Sequence, residues 1–177
     1  AELSIIAAVA REHDLLVIAD EIYNLLTYQG EGAEAPVHLS IRALPGMAER
    51  SVVIDGLSKT HSASGWRIGF VTAPVTITRQ LRRIAAALGL SAPTPLVVAS
   101  RLAYLPASDP HGRALADVLS ANRQELERNG RVLANALRRQ GFALAQPEGA
   151  TYILAGLPGR SGFDDLAQFL HDRCLIK

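Results

Sequence analysis

Lys59 closes an apolar run and stands eight residues ahead of Arg67 in the segment Gly56-Leu57-Ser58-Lys59-Thr60-His61-Ser62-Ala63-Ser64-Gly65-Trp66-Arg67-Ile68-Gly69. The chain has only two lysines, Lys59 and the final residue Lys177, and its remaining basic charge is arginine. Lysine is the basic side chain that burial can push toward a neutral, nucleophilic amine. A lone lysine in an apolar, glycine-flanked stretch fits that use, and it also fits a loop lysine whose head stays in water. Arg67 sits between Gly65-Trp66 and the apolar Ile68, where a planar guanidinium can grip phosphate or carboxylate or join a structural ion pair. Further upstream, Asp20-Glu21-Ile22-Tyr23 follows the apolar run Leu15-Leu16-Val17-Ile18-Ala19. Carboxylates at such a point either face a ligand at the carboxyl edge of a sheet or cap the next helix.

These residues need strands behind them. Leu15 to Ala19, Ser51 to Asp55 and Ile68 to Ala73 read as strands, the first two as runs buried on both faces. Asp20 and Lys59 each lie just past such a run, so one parallel sheet would deliver a carboxylate and an amine to the same edge. Between the strands, helical periodicity predicts helices over about residues 2–13, 76–88 and 96–105, the second with Ile77, Leu81 and Ile84 on one stripe. Residues 30–36 read as a loop and residues 40–49 as a short helix. Asp109-Pro110 is a helix start, with a side-chain acceptor at the cap and proline in the first turn. From there to Gln140 the pattern stays helical, with Leu115, Leu119, Leu126, Leu133 and Leu137 on one face, and Gly141 stops it. Such a helix reaches about 45 Å at roughly 1.5 Å per residue, enough to bridge two domains. Phe142 to Ala145 and Thr151 to Ala155 read as strands around Gln146-Pro147-Glu148-Gly149, Phe163 to Cys174 as a helix, and Leu175-Ile176-Lys177 as the start of a strand. Alternating strands and helices predict an α/β fold with a mostly parallel sheet flanked by helices.

The 177 residues carry a formal net charge of +1, which gives no electrostatic case for nucleic acid or an anionic membrane. No apolar run approaches the roughly 20 residues of a membrane helix. Cys174 is the single cysteine, so no disulfide forms within the chain, and a reducing, cytoplasmic setting is expected. The opening Ala1-Glu2-Leu3-Ser4 has no secretory pattern, lacks a methionine and starts inside an amphipathic repeat, which predicts an internal piece of a longer protein. His38, His111 and His171 show no ligand spacing, and no metal is expected.

Taken together, Asp20-Glu21-Ile22-Tyr23, Ser58-Lys59 and Gly65-Trp66-Arg67-Ile68-Gly69, in that order and spacing, resemble the pyridoxal-phosphate-dependent aminotransferases of class I/II, fold type I. Gln146-Pro147-Glu148-Gly149-Ala150-Thr151-Tyr152 is similar to that family's turn in its small domain. The resemblance implies that Lys59 forms a Schiff base with pyridoxal 5'-phosphate and later shuttles the substrate Cα proton. It implies that Asp20 pairs with the pyridine nitrogen, that Tyr23 bonds the phenolic oxygen and that Arg67 clamps the phosphate. Residues 1–109 would be the C-terminal half of the cofactor-binding large domain. Residues 110–177 would be the interdomain helix and part of a small α+β domain. Two positions depart from the pattern: Gly56 stands where a phosphate-contacting serine is usual, and His61 where an aromatic residue is common. His61 is either a packing substitute or a second titrating group.

The same resemblance implies a cytoplasmic homodimer that moves an amino group between an amino acid and a 2-oxo acid, with no nucleic-acid or membrane partner. A carbon–sulfur β-lyase built on the same residues, and the aminotransferase-like sensor domain of a transcription regulator, are the alternatives. The family's glycine-rich phosphate loop, ring-stacking aromatic and phenolic-oxygen asparagine would lie upstream of residue 1, and its substrate-carboxylate arginine downstream of Lys177. On that ground the isolated chain is expected to be inactive.

Overall fold

A computed structural model describes residues 2–28 and 37–156. Helix α1 (Glu2–Glu12) leads into strand β1 (Val17–Asp20), and strand β2 (Ser51–Gly56) follows a single-turn 3-10 segment at Ile41–Ala43. A four-residue helix α2 (Leu57–Thr60) and a 3-10 turn at Ser64–Trp66 then lead to strand β3 (Gly69–Thr72). Helices α3 (Val75–Ala87), α4 (Thr94–Ser100) and the long α5 (Pro110–Arg139) precede two short strands, β4 (Ala143–Leu144) and β5 (Ala155–Gly156).

The main sheet has the order β1-β2-β3. β1 runs parallel to β2 with Asp20 opposite Ile54, whereas β3 runs antiparallel to β2 with Gly69 opposite Gly56. The expected mostly parallel sheet is therefore mixed among the described residues. The connection from Gly56 to Gly69 holds only the one-turn α2 and a 3-10 turn, without the full helix that usually carries a parallel return. The chain turns back at the edge where β2 ends.

The core lies between α1, the 41–47 segment and the sheet. Ala7, Ala10, Ile41, Met47 and Val53 are buried together, with Leu3, Val17, Ala19 and Leu44 packed against them. β1 alternates rather than being buried on both faces: Val17 and Ala19 turn to this core, while Ile18 on the other face is 67% exposed. The stripe expected on α3 is likewise not a buried one, since Ile84 is 54% exposed and the helix has no buried residue.

Asp109 caps α5 as its sequence requires, its carboxylate accepting from the backbone N–H of His111 and Gly112. On α5 the buried positions are Gly112, Glu127 and Ala134, and Leu133 of the leucine face is exposed. Gly112 is needed for contact: a Cβ there would sit 2.3 Å from the Pro106 carbonyl oxygen. At Gly141 the chain enters the left-handed region with φ +84°, and the helix ends. The expected strand at 151–155 is reduced to Ala155–Gly156, paired with β4, and the expected helix at 96–105 is α4 followed by a 3-10 turn, Arg101–Tyr104. The loop at 30–36, the helix at 163–174 and the strand start at 175–177 lie outside the described residues.

Candidate functional site

Parallel pairing puts the carboxyl ends of β1 and β2 at one edge, and antiparallel pairing brings the start of β3 to the same edge. Asp20 ends β1, Lys59 lies in α2 directly after β2, and Arg67 precedes β3 by two residues. The order of strands thus gathers three separated segments of chain at one rim.

Each segment is fixed differently. The β1 end is extended by the Glu21 N–H, which donates to the Ile54 carbonyl at 2.8 Å. Asp20 then accepts from the Ile22 N–H at 3.3 Å, a local turn that leads into Tyr23. Glu21 is not a free acid at the rim. Its side chain accepts from the Ser40 hydroxyl at 3.0 Å and the Ile41 N–H at 3.1 Å, and pairs with His38 Nε2 at 3.1 Å. That carboxylate therefore holds residues 38–41 against the strand. Asn24 donates to Asp55 at 2.9 Å, tying the segment after β1 to β2.

α2 is anchored by buried Leu57 and Thr60, the latter donating to the Gly56 carbonyl at 3.3 Å. Lys59 on this turn is exposed, as in the second of the two sequence readings, a loop lysine with its head in water. Gly56 has a packing reason to be glycine. A Cβ there would lie 2.8 Å from the Ile68 carbonyl oxygen and 3.2 Å from Ile22 Cδ1, so a serine does not fit without displacing backbone. His61 is half-buried, with Nδ1 2.8 Å from the Thr60 hydroxyl and Nε2 buried without a hydrogen-bond partner. Burial pushes its pKa below the ordinary value, with Asp55 opposing. Arg67 adopts the left-handed conformation at φ 55°, is exposed, and donates from Nη1 to the Ser64 carbonyl of its own turn at 3.2 Å.

Tyr23 is where the pieces meet. Hydrogen bonding from Tyr152 is the largest influence on its phenol and lowers its pKa, and burial raises it. A bond from Thr151 and the charge of Lys59 also lower it, and the charge of Asp20 raises it. Asp20 and Lys59 thus both act on one hydroxyl, whereas Arg67 shares the rim through strand register. Thr151 and Tyr152 belong to the turn that the sequence marks only as similar to a small-domain segment, and they were not expected at this site. A bare sequence carries the tyrosine but no signal of which element the turn packs on.

An amine, a carboxylate, a phenol and a guanidinium share one rim, a set of charged and polar groups suited to a small anionic ligand. Among the described residues no cluster of three or more His, Cys, Asp or Glu could hold a metal ion, and no helix is long and apolar enough to cross a membrane. Cys174 and His171 lie outside the described residues.

The model of the family "Aminotransferase class I and II" matches residues 1–175. The chain is 33% identical over 174 residues to the aspartate aminotransferase of Bacillus subtilis (strain 168), covering 96% of this chain and 41% of that one. Among solved structures, it is similar to the aromatic aminotransferase from Pyrococcus horikoshii OT3, with a TM-score of 0.81 at 28% identity over 98% of this chain and 44% of that one. The N-succinyldiaminopimelate aminotransferase from Mycobacterium tuberculosis superposes with a TM-score of 0.79 at 26% identity, covering 97% and 42% of the two chains. The chain spans about two fifths of the length of the curated relatives it matches.

Proposed function

The chain belongs to the class I and II aminotransferases, and from that premise we propose that the whole protein moves an amino group between an amino acid and a 2-oxo acid, with pyridoxal 5'-phosphate as cofactor. The observation that carries this reading is the strand register, which brings the chain just past β1, with Asp20 and Tyr23, and the turn just past β2, with Lys59, to one sheet edge. When bound, the cofactor supplies an electron-withdrawing ring that stabilises negative charge at the substrate carbon.

In this reading the residues divide the work. The Lys59 amine would hold the cofactor covalently and would serve as the group that moves the Cα proton. The Asp20 carboxylate keeps a proton on the ring nitrogen, an ion pair worth up to about 4 kcal/mol at 4 Å and an effective dielectric near 20. The Tyr23 hydroxyl meets the phenolic oxygen, and the Arg67 guanidinium holds the phosphate. Residues 1–109 would belong to the cofactor-binding domain, with 110–177 forming the interdomain helix and part of the small domain. The full-length protein would work as a homodimer in the cytoplasm.

The experiment is an absorbance scan of the protein with added pyridoxal phosphate, followed by borohydride reduction and peptide mapping. The expected result is a band at longer wavelength than the free aldehyde's, discharged by borohydride, with the reduced adduct on Lys59. Lys59→Ala removes the adduct and lowers amino transfer by at least the roughly 10²–10⁴-fold that a placed proton-transfer group supplies. An adduct on no lysine, or turnover that survives Lys59→Ala, overturns the reading. Pyruvate and ammonia in place of a new amino acid would reassign the reaction to β-elimination.

A further inference from the structure

Residues 148–152 are laid against residues 23–28 by backbone hydrogen bonds. Thr27 and Gly149 form an antiparallel bridge. The Tyr28 N–H donates to the Glu148 carbonyl at 2.8 Å, and the Ala150 N–H to the Leu26 carbonyl at 2.9 Å. The Tyr28 hydroxyl donates to the Ala150 carbonyl. The approach is close enough that a Cβ on Gly149 would lie 2.6 Å from the Leu26 carbonyl oxygen. Ala150 takes the left-handed conformation at φ 60°, which a non-glycine residue rarely adopts without a constraint from its surroundings.

The outcome of this docking is a contact with Tyr23. The rings of Tyr23 and Tyr152 meet edge to face at 5.7 Å and 81°. Tyr152 is itself 67% exposed, so core burial does not account for its position. We infer that Tyr152 is a positioning residue: clamped by the 148–150 backbone, its hydroxyl donates to Tyr23 and holds the phenol in the orientation in which it meets the cofactor. The inference rests on the proposed function for the word cofactor, but the contact between the two tyrosines does not.

The direction of the effect follows from the donor. A hydroxyl that donates to Tyr23 favours its phenolate, and Tyr152 is raised in turn because Tyr23 keeps it protonated. The other groups acting on Tyr23 are Lys59 and Thr151, which lower it, and Asp20, which raises it.

The test uses the protein labelled at the tyrosine ring carbon that bears the hydroxyl, titrated by NMR with and without pyridoxal phosphate. The chain has four tyrosines, so each phenol is followed separately. Tyr152→Phe is expected to shift the Tyr23 midpoint upward without moving Tyr28 or Tyr104, and to leave the unfolding midpoint unchanged. Gly149→Ala, which displaces the turn while keeping the Tyr152 side chain, is expected to shift Tyr23 the same way. A Tyr23 midpoint that stays put in folded Tyr152→Phe protein overturns the inference, as does a Gly149→Ala protein in which only stability changes. Failure to find an adduct on Lys59 would sink the proposed function and leave this titration readable. An intact adduct with an unmoved Tyr23 would sink the positioning role alone.

Discussion

The rim has two halves that are held by different means. One half, residues 20–24 with 55–60, is wired by side chains: Glu21 to Ser40, Ile41 and His38, Asn24 to Asp55, Thr60 to Gly56. The other half, residues 61–68, has Trp66 42% exposed and two non-glycine residues in the left-handed region, Ser62 at φ 54° and Arg67 at φ 55°. It is fixed at its far end, where Ile68 is buried and Gly69 pairs with Gly56. The first half keeps its shape through hydrogen bonds that could stabilise any fold. The second keeps conformations that cost energy, and such conformations concentrate where a chain is shaped for a ligand. The first stretch thus carries Asp20, Tyr23 and Lys59 on a hydrogen-bonded frame, the second carries Arg67 on a strained one, and mutations should split along that line.

The largest expected effect falls on the wired half. Glu21→Ala leaves the Ser40 hydroxyl and the Ile41 N–H without their carboxylate, and should cost on the order of 3 kcal/mol, because hydrogen bonds to charged groups are the strong ones. Urea unfolding measures it, and a loss below about 1 kcal/mol would mean that this half is not held by its side chains. Gly56→Ser should come next, destabilising by about 1–3 kcal/mol as an overpacked site, since its Cβ would press on the Ile68 carbonyl. Neutral tolerance of serine would show that the strand ends move more freely than this comparison allows.

Much of this layout could be read from the residues, and what could not has a physical cause. The motifs around Asp20, Lys59 and Arg67 are local in sequence, so their order could be recognised before their geometry. α1, α3 and α5 follow from helical spacing, and the Asp109 cap from chemistry confined to its own turn. The direction of β3 was not legible because strand periodicity is blind to pairing; its antiparallel register with β2 is a contact between segments. The exposure of Ile18 and Ile84 was missed because an apolar pattern states which face can be buried, not whether anything covers it. The role of Glu21 as the brace of the 38–41 loop, and the arrival of Tyr152 at Tyr23, depend on contacts between distant segments that no spacing encodes.

Arg67→Gly probes the second half with the opposite sign. Glycine takes a left-handed backbone without steric cost, so the variant should gain about 1 kcal/mol of stability. In the proposed function it should at the same time weaken pyridoxal-phosphate binding, because the guanidinium is gone. Thermal unfolding without cofactor and a spectroscopic titration with it measure the two quantities independently. A variant that is both less stable and unchanged in binding would place Arg67 among the structural wiring and erase the contrast between the halves.

His61 stands at the junction, next to Thr60 of the wired half and Ser62 of the strained one, and its effect is the smallest because it is a slope and not an offset. Burial holds its pKa below the ordinary 6.5, with Asp55 pulling the other way. As pH falls through about 6.5 the unfolded chain takes up this proton before the folded one does, so acid favours unfolding. Above that range both states are neutral and His61 contributes no pH dependence. His61→Asn removes the titration while keeping a polar group near Thr60, and should flatten the fall in unfolding midpoint between pH 7.5 and pH 5.5. If the slope is unchanged, the ring is not buried enough to resist a proton, and the boundary between the two halves lies open to water rather than packed.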